Sequence, residues 1–331
     1  MSQADIVAAV MFSAIVLYAV FGGADFGTGI WDLVAGDARK GARTRRLIDQ
    51  AIGPVWEANH VWLIFVLVFL WTGFPRAFAT IMRGLAIPFW LVGLGIVLRG
   101  SSFAFRKFAP ELRWARLAGI TFASSSLVTP FFLGTIAGAI ASGRVGGEPS
   151  DSSVPIWLTP TSIVGGILAV ATCAFLAGVF LTEEAERDGD TDHAEELRVK
   201  ALAAGIATGV IALLGIIPLQ QDAPTLFEGL LGRGAPEIVI SAIGGLLTIW
   251  NLRNRNYRRA RISAVIAVAA VVIGWGIGSY PWILVDQVTI EDAAGHPATL
   301  TALLVSSVVA FVIVTPALAL LFRLADTNRL S

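Results

Sequence analysis

The chain has 331 residues, 56% of them hydrophobic and only 15% charged, with 24 Lys and Arg against 24 Asp and Glu. A water-soluble domain of this composition would expose more apolar surface than stays dispersed, and a zero formal charge offers no footprint for nucleic acid. The single Cys173 excludes an internal disulfide and any cysteine-based metal or iron–sulfur site, and it reads as a small core residue.

Long apolar runs recur along the chain, and about 20 helical residues suffice to cross the hydrocarbon of a bilayer. Backbone groups in lipid must bond within their own segment, so the expected fold class is all-α: a polytopic helix bundle in the lipid bilayer. In chain order the predicted helices lie at roughly 5–24, 58–74, 79–98, 115–141, 158–182, 200–219, 237–251, 262–284 and 300–322, nine transmembrane helices in a single transmembrane domain, 1–331. The second and seventh are short. The stretch 5–24 lacks a basic leading segment and a cleavage site, so it reads as a retained first span. The connections 25–57, 142–157, 183–199, 220–236 and 285–299 are the longest.

Basic residues alternate with these spans. All but four of the 24 Lys and Arg fall after helices one, three, five and seven or in the tail; the exceptions are Arg76, Arg144, Arg233 and Arg83, the last just inside the third helix. Cytoplasmic loops collect Lys and Arg, which places the N-terminus outside and the C-terminus in the cytoplasm.

With that orientation two acids lie at the cytoplasmic ends of the first two helices. Asp25 sits in 22-GGADFGTGIWDL-33, among glycines that permit close helix contact. It is either a cap where the helix breaks at those glycines, or an acid held at a packed interface where it carries a proton. Glu57 sits in 51-AIGPVWEANHVW-62, where Trp56 and Trp62 read as an interfacial aromatic anchor and Asn59 and His60 as polar neighbours. Glu57 and His60 are three apart and share a helix face. Glu-x-x-His is also half of a di-iron site, but no second copy exists: His193 falls in 183-EEAERDGDTDHAEE-196, read as a solvated connection, and His296 in 292-DAAGHPATL-300. With three Met, three Tyr and one Cys, and only His60 near a helix, haem ligands are equally scarce. Any redox centre belongs mainly to another subunit, and no metal site is expected in this chain.

Arg99 and Arg106 stand out in 99-RGSSFAFRKFAPELRWAR-116 as partners for Asp25 or Glu57, or for an anionic group. The outer connection 280-YPWILVDQVTIEDAAGHPATL-300 has no Lys or Arg and carries Asp292. Pro130, Pro160, Pro218 and Pro316 could each kink a span, but no internal repeat of the kind found in transporters is visible.

The segments GGADFGTG, IGPVWEANHVWLI, RGSSFAFR, and YPW followed by DAAGHPATL resemble subunit II of the cytochrome bd quinol oxidases, over most of the chain and most specifically in its first hundred residues and 280–300. That resemblance implies a terminal oxidase of the bacterial plasma membrane that oxidises quinol and reduces dioxygen to water. It implies two b-type haems and one d-type haem in a partner, subunit I, with none ligated here, and it allows a small third subunit. Glu57 then occupies the acidic position of PxWxxN, Asp25 that of GxDxGxG, Arg99 and Arg106 the basic positions of RxxxFxxR, and Asp292 the acidic position before the outer TL pair. Glu57 stands where aspartate is common in the family, His60 where glutamine or glutamate is common, and Gly22 where some members carry an acid. The expected role is to relay cytoplasmic protons through Asp25 and Glu57; the rival readings are a structural scaffold for the haem subunit and a small-solute transporter.

Overall fold

A computed structural model describes residues 1–36, 39, 41–52, 56–108, 112–147 and 154–326. The first span is longer than its apolar run. Helix α1 (Gln3–Leu17) passes through one π-helical turn at Tyr18–Gly22 into α2 (Gly23–Val34) without a break. Asp25 is therefore not a cap at a glycine break; it lies inside a continuous helix, directly after the wide turn. The glycines serve packing instead. A Cβ on Gly27 would sit 1.9 Å from the Cys173 carbonyl oxygen, and one on Gly29 would sit 2.2 Å from Ser126 Oγ. Small residues at such contacts let helices in lipid approach closely, where hydrophobic driving force is absent.

Helix α3 (Ala42–Ile52) follows, then α4 (Trp56–Gly73) and α5 (Pro75–Gly84), which bends away from α4 by 116°. The bend has a local cause. Pro75 disfavours the helical region for the residue before it, and Phe74 takes φ −134°, ψ 60°, its side chain fully buried as an anchor. The predicted third helix, 79–98, thus merges two elements: α5 ends at Gly84 and α6 (Ala86–Phe108) carries the apolar run, so Arg83 lies in the last turn of α5 and not in the helix that carries that run.

Helices α7 (Leu112–Ala141), α8 (Pro160–Arg187), α9 (Thr191–Asp222), α10 (Pro224–Leu231), α11 (Ala235–Arg253), α12 (Tyr257–Ser279) and α14 (Pro297–Asp326) complete the bundle. Pro160 starts α8 behind a Thr159 cap and does not kink it. Among the described residues eight helices are long and apolar enough to cross a membrane, and the bent α4–α5 pair would add a ninth. The chain is a multi-pass, all-helical membrane protein. Between α12 and α14 lie a small antiparallel hairpin, β1 (Trp282–Leu284) and β2 (Val288–Thr289), and one turn of helix, α13 (Ile290–Ala293).

Among the described residues two large cores hold the bundle, with smaller clusters beside them. One joins α2, α8, α9 and α12 through Leu176, Leu181, Leu197 and Ala264; the other joins α1, α4, α5 and α14 through Val7, Phe74, Leu85 and Leu300. At one end, ion pairs tie the turns together: Asp32 with Arg45, Asp190 with Arg43, Glu183 with Arg261, and Glu195 with Arg198 and Arg255. At the other end Arg144 pairs with Asp222, and Thr225 bonds Asp286 at 2.8 Å. The stretch 183–196 is a largely exposed connection over 186–192, but it is helical on both sides: α8 runs to Arg187, and His193, only 3% exposed, lies buried in the first turn of α9.

Candidate functional site

Asp25 and Arg99 form a pair inside the bundle, both side chains 2% exposed. Arg99 Nη2 donates to Asp25 Oδ1 at 2.9 Å and to the Asp25 carbonyl at 2.7 Å. Its guanidinium lies 4.5 Å from the centre of the Phe122 ring and 5.3 Å from that of Phe26. A lone charge at this depth would be costly; pairing, two hydrogen bonds and aromatic faces compensate it. The Thr28 hydroxyl donates to the same Asp25 carbonyl at 2.6 Å, so the turn carrying the acid is fixed from two sides.

The other carboxylate oxygen faces α4. His60 Nε2 is 4.0 Å from Asp25 Oδ2, and His60 Nδ1 is 3.4 Å from the Tyr18 hydroxyl. Among the described residues Asp25 Oδ2 and Arg99 Nε meet no hydrogen-bond partner. A gap of 4.0 Å is too long for a direct hydrogen bond and short enough for a modest side-chain shift to close. Tyr18 belongs to the π-helical turn, which widens the helix and turns this ring toward α4; such turns recur at functional sites. Asn59 is buried, and Trp62 packs against the cluster of Tyr18, Phe26 and Cys173.

Helix α4 begins at Trp56, so Glu57 lies in its first turn, one turn before His60. The side chains of Trp56, Glu57 and Arg106 lie outside the described residues. Of the two predicted basic partners, the structure sets Arg99 on Asp25. It does not bring Asp292 there. Asp292 belongs to α13, beside the amino end of α1, whereas Asp25 lies about 30 Å further along that span. Asp292 Oδ2 accepts from the Thr289 hydroxyl at 2.6 Å and its carbonyl accepts from Arg76, while its backbone N–H donates to Thr289, the cap of α13, so it sits in a capped turn. Sequence reasoning missed Tyr18, Phe26 and Phe122 as parts of this site; Tyr18, seven residues before Asp25 on the same helix, carried a spacing signal.

Among the described residues no three His, Cys, Asp or Glu side chains converge as a metal ion requires. The site does not fit a haem either. Both ring nitrogens of His60 face side chains of this chain, so its imidazole is not presented as an axial ligand.

Comparisons with known proteins agree with this architecture. The family model described as cytochrome bd terminal oxidase subunit II matches residues 3–325. The cytochrome bd ubiquinol oxidase subunit 2 of Bacillus subtilis is 28% identical over 206 residues, 60% of this chain and 58% of that relative, so the aligned part spans under two thirds of its length. A putative cytochrome bd menaquinol oxidase subunit II of the same organism is 22% identical, over 95% of this chain and 93% of its own. The fold is similar to that of a chain in the bd oxidase of Geobacillus thermodenitrificans, with a TM-score of 0.82 and 25% identity over 98% of both chains. The chain belongs to the cytochrome bd terminal oxidase subunit II family.

Proposed function

We propose that this chain is the subunit of a quinol-oxidising terminal oxidase that brings cytoplasmic protons, through Glu57 and Asp25, toward the oxygen-reducing centre of its partner, subunit I. Reduction of dioxygen to water consumes protons, and drawing them from the cytoplasm while quinol releases protons outside builds a proton-motive force. The b-type and d-type haems reside in subunit I. The chain acts as one membrane domain in the bacterial plasma membrane, crossing nine times with its N-terminus outside and its C-terminus in the cytoplasm; the alternation of Lys and Arg and the α4–α5 bend taken as one crossing support that count.

The observation that carries the relay is the divided environment of Asp25. Arg99 holds one carboxylate oxygen, while the other faces His60, one turn from Glu57. A carboxylate fixed on one side and open on the other keeps its position through each proton exchange. Asp25→Asn and Glu57→Gln in the assembled oxidase, with turnover counted per haem, test this. Each is expected to lower turnover at least about tenfold, a threshold set below the roughly hundredfold or more that a positioned proton-transfer group contributes. Unchanged turnover per haem in both variants overturns the relay.

A scaffold reading rests on the second bond of Arg99, to the Asp25 carbonyl, which ties α2 to α6 whatever the carboxyl does. It predicts that Asp25→Asn lowers complex yield and leaves the turnover of surviving complex intact.

A further inference from the structure

Helix α3 is short, yet three consecutive residues of its first turn reach three separate places. Arg43 pairs with Asp190, the cap of α9. Thr44 Oγ1 lies 3.4 Å from the Nε2 of the buried His193. Arg45 donates from Nε to Asp32 Oδ1 at 2.6 Å and from Nη2 to the Gly36 carbonyl at 2.7 Å. Successive helical residues point about 100° apart. Such a fan is met only if α3 lies in the angle between the end of α2 and the α8–α9 turn.

The apolar face agrees. Thr44, Leu47, Ile48 and Ala51 recur at the spacing of one helical stripe, with Leu47 and Ile48 buried in the core that also contains Leu181 and Leu197. This is a helix packed on the bundle along its length, not a loop that happens to coil.

Its place in the chain gives the docking a consequence. Only residues 53–55 separate α3 from α4, and a connection of that length reaches at most about 14 Å. Asp32 and Asp25 are two turns apart on α2, about 10 Å along its axis. Arg45 at Asp32 fixes α3, and His60 at Asp25 is where α4 meets the same helix. The amino end of α4 is thus held between two fixed points on α2.

We infer that α3 is a clasp, and that Thr44 and Arg45 are positioning residues that hold the first turn of α4, with Glu57 and His60, against Asp25. This inference rests on the proposed relay for its functional consequence but not for its geometry. The test uses the purified oxidase carrying Asp32→Asn with Arg45→Gln, which strands neither charge, and separately the milder Thr44→Val. Hydrogen exchange is followed in peptides covering 42–52 and 60–66, with a peptide from α12 as control, beside quinol oxidase kinetics per haem. The clasp predicts exchange roughly tenfold faster in both stretches with α12 unchanged. It also predicts kcat lowered about three- to tenfold, KM for quinol unchanged, and partial recovery with Arg45→Lys. Faster exchange in 42–52 with wild-type exchange in 60–66 overturns it, because α3 would then be a tether without influence on α4. Faster exchange in both stretches with wild-type kcat upholds the clasp and counts against the relay, so the two ideas fail separately.

Discussion

Helix α2 carries two aspartate–arginine pairs seven residues apart, and they differ in what surrounds them. Asp25 and Arg99 are both shut away, each side chain 2% exposed, with aromatic rings against the guanidinium. Asp32 is equally buried, but its partner Arg45 keeps 27% of its side chain exposed. The first pair joins two membrane helices; the second joins a membrane helix to a clasp at the end of the bundle. The same two residue types therefore do different jobs, set by burial and by which element brings the base.

This contrast orders the expected effects of substitution. Arg99→Leu strands a buried carboxylate and should cost about 3–5 kcal/mol, seen as loss of the assembled complex from membranes. Adding Asp25→Asn to that variant should restore much of the yield, and no recovery would deny that the pair is the cause. Gly27→Ala tests the packing behind the deep pair. A new Cβ 1.9 Å from the Cys173 carbonyl forces α2 and α8 apart and should cost about 1–3 kcal/mol of stability, seen as a lowered thermal midpoint. Replacing the shallower pair by Asp32→Asn with Arg45→Gln should cost about 1–2 kcal/mol while the complex still assembles. Arg43→Gln removes a pair whose side chains are 46% and 34% exposed, and its effect should stay within about 0.5 kcal/mol. Equal losses from the deep and shallow pairs would erase the distinction drawn here.

The deep pair was partly legible in the sequence. Asp25 stands in a glycine-rich helical segment, and Arg99 was one of two bases named as a partner for either acid. Which acid it meets was not readable, because the two lie 74 positions apart and the chain between them folds through three other elements, α3, α4 and α5. The shallow pair was hidden, since 25–57 reads as one basic connection. The stripe of Thr44, Leu47, Ile48 and Ala51 is too short and too interrupted by charge to resemble a span, although it has helical spacing. His193 was misread for the same reason. Its neighbours in sequence are acidic, and its burial comes from α3 packing over it, a tertiary effect. The long spans were legible because apolar length sets them, whereas the turn at Phe74 lay in a single Pro75 inside an otherwise helical pattern. Asp292, marked by position alone, proved to sit in a capping turn.

The most direct test is turnover per haem in oxidase containing Asp25→Asn with Arg99→Gln, a pair that loses both charges together and leaves neither buried alone. A relay through Asp25 predicts normal haem content and oxygen consumption lowered at least about tenfold, with recovery in Asp25→Glu on the native Arg99 background. Oxygen consumption at the wild-type rate per haem would contradict it.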